Sequence, residues 1–403
     1  MEEKIEGLHF TNIPTDKTEH LIKVIGVGGG GGNAVKSMYE KGVKNVTFAV
    51  CNTDSQALSR SPIPVRIQLG EEGLGVGGNP EKGREKAEES MKDIELLFND
   101  ETKMVFLTAG LGGGTGTGAA PLIAKVAREK GILTVGVVTL PFRFEKRARM
   151  EKALAGVEEM KENVDALLVV SNERLLEVYS NSMLSIDEAF GKANDILTIA
   201  TKTISEVITK EGIVNRDFKD VETVMKDSGR AIVTVGYGSG EKRIIKAMKD
   251  ALNSPLLNTK EIEKAQRLLY IIYSCNEKPV SITELGEIND FMDTLPEDLE
   301  VLWGLYPDDT IGDQVKVAVV ATGFDKAREQ KETEERSENV KKLWEMYYPD
   351  HKAHNQEETV SQEVTPNEEN SESVEDDASG WKHKSHSWFN SFVEFMKRSL
   401  EEE

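Results

Sequence analysis

The sequence predicts an α/β protein: a parallel sheet wrapped by helices, then one long central helix, a smaller α+β domain and a disordered acidic tail. Apolar runs of strand length alternate with helical segments from residue 21 to residue 170, a pattern typical of βαβ units. From residue 186 to residue 209, apolar side chains recur every three or four positions, which predicts an uninterrupted helix.

Composition limits the class of protein. The chain has 403 residues and a net charge of −21, which disfavours binding to nucleic acid. Cys51 and Cys275 lie in apolar runs and are predicted to be reduced core residues, which indicates a cytosolic protein. The start of the chain lacks an apolar signal core, and no run approaches the roughly 18 apolar residues of a membrane span. We therefore expect a soluble protein without a transmembrane segment.

The first predicted strand covers residues 21–27 and follows a polar extension, residues 1–20. The glycines from Gly28 to Gly32 then predict a tight turn that enters a helix at Asn33. Such a turn suits a phosphate, but one glycine turn alone does not identify the ligand.

The next strand, residues 46–51, is followed by Asn52, Thr53 and Asp54, at the edge where a parallel sheet presents side chains to a ligand. Asp54 is compatible with a ribose or metal contact and equally with a turn or helix cap. A further glycine cluster, residues 73–78, precedes a charged helix for which Pro80 suits the first position.

The most informative stretch is residues 109–119, where six glycines and two threonines lie between an apolar strand and a helical segment, residues 119–130. Glycines allow consecutive backbone N–H groups to point at one bound group, and a helix N-terminus adds partial positive charge. A flexible linker is the alternative, but linkers do not lie between a buried strand and a helix. The stretch predicts a phosphate cradle.

The remaining elements complete the prediction. Strands are expected at residues 132–138 and 164–170, and a loop with two carboxylates and an amide at residues 213–221. The second domain is predicted to have strands at residues 231–237, 268–274, 300–305 and 316–322, with helices near residues 242–252 and 282–292.

The end of the chain has a different composition. Residues 353–380 contain no Lys or Arg, and a segment so polar and acidic is predicted to be disordered. Aromatic and aliphatic residues then recur at helical spacing from Trp381 to Leu400. This pattern predicts a short amphipathic helix that docks on a partner groove or a membrane surface, and folding back onto the core is the alternative.

The run Gly110–Gly118 and the separated motifs around it resemble the tubulin/FtsZ family of GTPases, over roughly residues 20–325. The resemblance implies a Rossmann-like GTP-binding domain, a central helix and a smaller C-terminal domain. It also implies GTP and GDP as ligands, with Mg²⁺ as the expected metal and no resident metal site in the protein itself.

The resemblance also assigns roles to residues. The phosphates would be held by two glycine-rich groups, with Glu145 and Arg149 on the ribose and phosphate side. Guanine would be bound by Asn33, Phe190 and Asn194, although Phe190 also suits a helix core. The implied phosphate-binding residues are Gly29, Gly30, Gly31, Gly32, Gly112, Gly113, Gly114, Thr115, Gly116, Thr117 and Gly118.

The glycine runs lack the lysine of a P-loop and would bind phosphate without it. The resemblance implies that the groups missing for catalysis come from a partner copy. In the family that the chain resembles, the loop after the central helix enters the nucleotide site of the next subunit. Here that loop offers Asn215, Asp217 and Asp220. The resemblance thus implies a GTPase that is activated by head-to-tail polymerisation. Its polymer would form a cell-division ring at the inner face of the membrane. Residues 381–400 would bind membrane-tethering and division proteins.

Four residues depart from the family pattern. Arg216 and Lys219 stand where apolar or small residues are usual, Lys146 replaces an expected glycine, and Ser171 replaces a usual proline. The usual short C-terminal peptide is also absent, and residues 381–400 take its place. The first two changes raise the question of how fast this chain turns over GTP.

Two alternative functions remain at this stage. A nicotinamide-dependent oxidoreductase would use residues 28–32 with Asp54 on the ribose, but would not need the later glycine clusters. A non-hydrolysing tubulin-like scaffold would lack the carboxylates of Asp217 and Asp220. The predicted divisions of the chain are residues 1–20, 21–185, 186–212, 213–325, 326–380 and 381–403.

Overall fold

The computed structural model describes residues 11–12, 20–174, 185–252, 265–292, 295–296 and 299–324. The predicted acidic linker and C-terminal docking peptide lie outside the described residues, as does most of the predicted N-terminal extension. Thr11–Asn12, within that extension, forms a short strand, β1, which pairs antiparallel with Arg66 and Ile67.

In the part of the chain described, the strands form one sheet. Its members are β1, β2 (Ile22–Val27), β3 (Thr47–Asn52), β4 (Val65–Gln68), β5 (Met104–Gly110), β6 (Leu133–Leu140), β7 (Ala166–Ser171), β8 (Gly229–Gly238), β9 (Arg267–Ser274), β10 (Glu300–Pro307) and β11 (Val315–Thr322). The order across the sheet is β1-β4-β3-β2-β5-β6-β7-β8-β11-β9-β10.

The direction of the strands divides the sheet in two. From β4 to β8 every neighbouring pair is parallel, whereas β11 runs antiparallel to both β8 and β9. The two parts meet at β7 and β8, which pair only through Ala166 with Gly229 and Leu167 with Arg230. The mixed α/β fold with a mostly parallel first part is the predicted fold class, and it places the ends of β2, β5 and β6 on one edge.

Helices cover both faces of the sheet. They are α1 (Gly28–Glu40), α2 (Ser55–Ser59), α3 (Pro80–Glu89), α4 (Met91–Leu96), α5 (Thr115–Glu129), α6 (Arg147–Asn163), α7 (Ile186–Thr209), α8 (Phe218–Met225), α9 (Arg243–Leu252) and α10 (Ile282–Met292). One core contains the buried faces of α1 and α7, and a second lies beneath α3, α4, α5 and α6. A third core lies between α9 and the last strands.

The central helix α7 has the predicted bounds, Ile186–Thr209. It begins there because Ser185 and Glu188 cap it reciprocally: the Ser185 hydroxyl accepts from the N–H of Glu188 at 3.2 Å, and the Glu188 carboxylate accepts from the N–H of Ser185 at 2.7 Å. Its buried side chains keep the predicted spacing of three or four residues, namely Ala193, Leu197, Ala200, Ile204 and Val207.

Three local predictions were wrong. The helix after β2 begins at Gly28, so Gly28–Gly32 form its first turns rather than a turn before it. The helix after β5 begins at Thr115, inside the glycine run. The loop predicted at residues 213–221 ends early, because Asp217 caps a helix that begins at Phe218.

Candidate functional site

A cleft of 770 Å³ opens at the carboxyl ends of β5 and β6 and is bounded by the first turns of α1 and by α7. Its size suits a nucleotide-sized ligand. It brings together eleven of the residues implied by the resemblance: Gly29, Gly30, Asn33, Gly113, Gly114, Thr115, Gly116, Glu145, Arg149, Phe190 and Asn194. Gly31, Gly32, Gly112, Thr117 and Gly118 do not line it.

Two helix N-termini lie at the cleft. Residues of the first turns of α1 and α5 line it, including Gly29 and Gly116. Neither helix has a side-chain cap on its first N–H groups. Free N–H groups and the helix dipole favour an anion at such ends. The geometry therefore suits a ligand with several phosphate groups.

Three glycines of this region have no steric reason to be glycine that the described residues provide. A Cβ atom added to Gly29, Gly32 or Gly113 would meet nothing within 4 Å, and none of the three has a positive φ. Gly29 and Gly113 line the cleft, whereas Gly32 and Gly29 line a smaller adjoining cavity of 270 Å³. Open space beside a glycine is what close approach of a bound group to the backbone requires.

The other glycines are needed for packing. A Cβ atom on Gly31 would lie 2.2 Å from the Thr108 carbonyl oxygen, and one on Gly118 would lie 1.9 Å from the Pro80 carbonyl oxygen. Gly114 and Gly116 are similarly crowded, and a Cβ atom on Gly30 would lie 3.1 Å from Gly110 Cα. Gly112 has a φ of +94°, which favours glycine. Gly30, Gly31 and Gly116 thus allow close packing on β5, whereas Gly114 and Gly118 allow close packing on α3 and the residues just before it.

Phe190 lines the cleft and is 43% exposed, and its ring packs at a nearly right angle on that of Phe142, with ring centroids 5.0 Å apart. Asn33 and Asn194 line the same cleft from α1 and α7. A ring supported from behind by another ring is suited to stack on a base. The alternative of a simple core residue does not fit this exposure.

Glu145 and Arg149 form an ion pair with 2.7 Å between Oε2 and Nη1. Glu145 is largely buried, and its Oε1 accepts a hydrogen bond from the backbone N–H of Phe142 at 2.9 Å. Arg149 is about half exposed and lines the cleft. The pair thus fixes one arginine at the rim, where it can meet a polar or anionic part of a ligand.

Asn172 and Thr108 also line the cleft, although neither was predicted from the sequence as a site residue. Both are buried, and Asn172 Oδ1 and Thr108 Oγ1 have no hydrogen-bond partner among the residues that the structure describes. A buried polar atom without a partner is costly, so a ligand that bonds to it gains affinity. The position of Asn172 immediately after β7 is an available signal, since Asn52 at the end of β3 is predicted to lie at the ligand-binding edge for the same reason.

The loop residues implied to be catalytic do not line the cleft. Asn215 Oδ1 accepts from the N–H of Gly212, and Asp217 with Asp220 forms the reciprocal cap of α8. The loop also forms an antiparallel bridge between Val214 and Leu305 of β10. Within one chain, the acidic loop and the glycine-lined cleft are therefore separate features.

Two other residues have structural roles. Asp54 caps α2: its Oδ1 accepts from the N–H groups of Gln56 and Ala57 at 2.9 and 3.2 Å, which favours the cap over the ribose or metal role. Cys51 and Cys275 are buried and unbonded to each other, as predicted. Burial raises the pKa of the Cys51 thiol to about 12.

Comparison with known proteins identifies the family. The family model described as "Tubulin/FtsZ family, GTPase domain" matches residues 21–180, and "FtsZ family, C-terminal domain" matches residues 229–325. The chain belongs to the tubulin/FtsZ family. A protein of Porphyromonas gingivalis described as "Cell division protein FtsZ" is 50% identical over 331 residues, 81% of this chain and 71% of that protein.

Solved structures agree with this membership of the tubulin/FtsZ family. "FtsZ dimer, empty" of M. jannaschii is 38% identical, with a TM-score of 0.69, covering 76% of this chain and 89% of that one. CetZ1 from Haloferax volcanii, described as a GDP-bound monomer, is 21% identical with a TM-score of 0.65, covering 80% and 99%, and shows a shared fold.

The family match confirms the predicted family and its GTPase domain, with GTP and GDP as the ligands of that domain. It does not favour the oxidoreductase or the non-hydrolysing scaffold. Among the helices that the structure describes, none combines the length and apolar character that crossing a membrane requires.

Proposed function

We propose that this protein is a cell-division GTPase that assembles head to tail into filaments and hydrolyses GTP at sites shared by two subunits. The observation that carries the proposal is the separation within one chain between the cleft and the acidic loop. A cleft that binds phosphates and a loop that carries carboxylates become one active site when the loop of one copy meets the cleft of the next. Because such a contact does not close on itself, it generates a filament.

Each part of the chain has a distinct task in this proposal. The N-termini of α1 and α5 and the open glycines Gly29 and Gly113 bind the phosphates. Phe190, Asn33 and Asn194 bind the guanine base. Asn215, Asp217 and Asp220 of the next subunit position the attacking water and accept its proton.

Mg²⁺ fits this arrangement only as an ion held largely by the phosphates. The residues that line the cleft include the carboxylates of Glu40 and Glu145, and no group of three metal-ligating side chains occurs among the residues described. Mg²⁺ typically binds through one or two carboxylates and the phosphates of its substrate, where it neutralises their charge.

The first test is the dependence of GTP turnover on protein concentration. A site that two subunits share should give a turnover per molecule that rises steeply with concentration and then levels off, in parallel with the sedimented polymer. Turnover per molecule that stays constant from dilute monomer to polymer would contradict a shared site.

Asp217 provides the second test. Asp217→Asn keeps an oxygen for the cap of α8, because Asn is as good an N-cap as Asp, but removes the carboxylate charge. We expect normal GTP binding and a fall in turnover of at least tenfold. The matched control is Glu222→Gln on the same helix, which should keep near-normal turnover. Equal turnover in Asp217→Asn and the control would place catalysis elsewhere.

We also propose that the protein acts in the cytoplasm at the inner face of the membrane, at the division site, and that residues 381–400 bind the membrane-tethering partners. The support is the amphipathic spacing of that segment after an acidic tract. Removing residues 381–403 should leave GTP-dependent polymer intact and abolish recruitment to the division site. Loss of polymerisation would instead indicate that the segment belongs to the folded core.

A further inference from the structure

The loop between α7 and α8 is attached to the edge strand β10. Leu305 exchanges backbone hydrogen bonds with the loop, accepting from the N–H of Ile213 at 2.8 Å and donating to the Val214 carbonyl at 3.2 Å. A Cβ atom on Gly304 would lie 3.1 Å from the Val214 carbonyl oxygen, so the two backbones approach closely. The loop is thus held as a short continuation of the sheet.

A buried tyrosine of β10 adds a second attachment. Tyr306 is 0% exposed, and its hydroxyl donates to the Val207 carbonyl of α7 at 3.1 Å and accepts from the N–H of Arg216 at 2.9 Å. One hydroxyl therefore joins the end of the central helix to the loop. Because both partners are backbone groups, this contact fixes the position of the backbone at residue 216.

The guanidinium of Arg216 makes the third attachment. Its Nε donates to the Trp303 carbonyl of β10 at 2.6 Å, and its Nη1 lies 3.5 Å from Asp220 Oδ2. Arginine presents several donors in a fixed plane, so a carbonyl that binds Nε also sets the direction of Nη1. The side chain is only about one-fifth exposed, which limits its freedom to take other positions.

We propose that Arg216 is a positioning residue for GTP hydrolysis: fixed by Trp303 and Tyr306, it holds the Asp220 carboxylate in the direction required by the nucleotide site of the next subunit. This inference rests on the proposed function, since it assumes that Asp220 acts in catalysis. It gives a role to a residue that departs from the family pattern.

The contacts argue against two simpler roles. A surface charge that only tunes solubility would not be bonded through Nε to a strand carbonyl and through its backbone to a buried hydroxyl. An arginine that reaches the nucleotide directly would need a free guanidinium, whereas this one is bound to its own subunit at Trp303 and faces Asp220.

The test is a double-mutant cycle on the full-length protein. Turnover at saturating GTP is measured per polymerised subunit for the wild type, Arg216→Leu, Asp220→Asn and the double variant, together with the KM for GTP and the critical concentration. Arg267→Leu is the matched control, because Arg267 also joins α8 to β10, through the Thr223 carbonyl and Glu300, without contacting Asp220.

We expect Arg216→Leu to lower kcat by roughly 10- to 100-fold, the cost of a misplaced catalytic group. The KM and the critical concentration should change less than about twofold, whereas a general loss of structure would change both of them. In the Asp220→Asn background, Arg216→Leu should cause no further fall in kcat. The kcat of Arg216→Lys, which cannot reproduce both contacts, should lie between those of the wild type and Arg216→Leu. Tyr306→Phe should also lower kcat.

Three outcomes would overturn the inference. Arg216→Leu with wild-type kcat would do so, as would a fall in kcat no larger than that of Arg267→Leu. An equal effect of Arg216→Leu in both backgrounds would show that Arg216 acts independently of Asp220, for example on the nucleotide itself. Wild-type turnover in Asp220→Asn is a separate result, because it would refute the proposed role of Asp220 and this inference with it.

Discussion

The backbone N–H of Gly112 donates to the hydroxyl of Thr117 across the turn between β5 and α5, with 2.9 Å between N and Oγ1. Thr117 is buried, and this bond joins the start of the turn to the first turn of the helix. The hydroxyl thus shapes the backbone that lines the cleft from within the protein.

Replacing this hydroxyl should weaken nucleotide binding. Thr117→Val keeps the shape of the side chain but leaves a buried N–H without an acceptor, at a cost of about 1–3 kcal/mol. We expect the Kd for GTP to rise roughly tenfold, measured by titration with a fluorescent GTP analogue. Thr117→Ser retains the acceptor and should bind within about twofold of the wild type. Equal affinities of the Val and Ser variants would contradict this role.

Asn172 should contribute affinity without contributing stability. Its Oδ1 is buried at the cleft and has no partner among the described residues, so Asn172→Leu removes an unsatisfied polar group from the free protein. The same change removes an acceptor to which a bound ligand could donate a hydrogen bond. We expect GTP affinity to fall roughly tenfold, while the free energy of unfolding without nucleotide stays equal or rises. Thr201→Val, which changes a buried unpartnered hydroxyl outside the cleft, should leave affinity unchanged. Equal GTP affinity in Asn172→Leu and Thr201→Val would remove Asn172 from the site.

Lys146 stores backbone strain. Its φ of 77° and ψ of 159° lie in a region of backbone conformation that residues other than glycine rarely adopt, which explains why glycine is expected at this position. Lys146→Gly should raise the free energy of unfolding by about 1 kcal/mol, measured by urea denaturation. Lys146→Ala is the matched control because it removes the charge but keeps the Cβ atom, and it should give no such gain. If both variants are equally stable, the strain is absent.

The pair of Asp308 and Lys316 should make stability depend on acid pH. Burial alone would raise the pKa of Asp308, but hydrogen bonds from Thr310 and Lys316 and the Lys316 charge lower it from 3.8 to about 2. Because the folded pKa is the lower one, this contribution is present above about pH 4 and is lost as pH falls towards 2.

The corresponding experiment compares Tm values at different pH. Lys316→Met should have a lower Tm than the wild type at pH 5, and the difference should narrow as pH falls towards 2. The control is Lys278→Met. Lys278 Nζ lies 3.5 Å from Oδ2 of Asp313, which is exposed, so losing this ion pair should change the Tm little. A gap between wild type and Lys316→Met that does not change with pH would contradict the argument.

Sequence periodicity was sufficient for the regular elements with large buried faces. The central helix has its predicted bounds because Ser185 caps it and its apolar stripe is continuous. Helix starts within glycine runs could not be predicted in this way, because glycine is a poor helix former. There, close packing of Gly31 on β5 and of Gly118 on Pro80 outweighs intrinsic propensity.

The candidate site was predictable as a set of residues but not as roles. Five of the implied phosphate-binding residues do not line the cleft. The glycine-rich sequence alone does not distinguish a glycine that allows close packing within the protein from one that leaves space for a ligand. Asn172 was missed because a single Asn after a strand has many possible roles until its unpartnered oxygen is located.

The open space beside Gly29, Gly32 and Gly113 has a consequence for mutational tolerance. A library of variants selected only for folding should accept alanine or serine at these three positions and reject them at Gly31, Gly116 and Gly118. Selection for growth should reject all six. The positions at which the two selections disagree would outline the ligand on the protein surface without a bound structure.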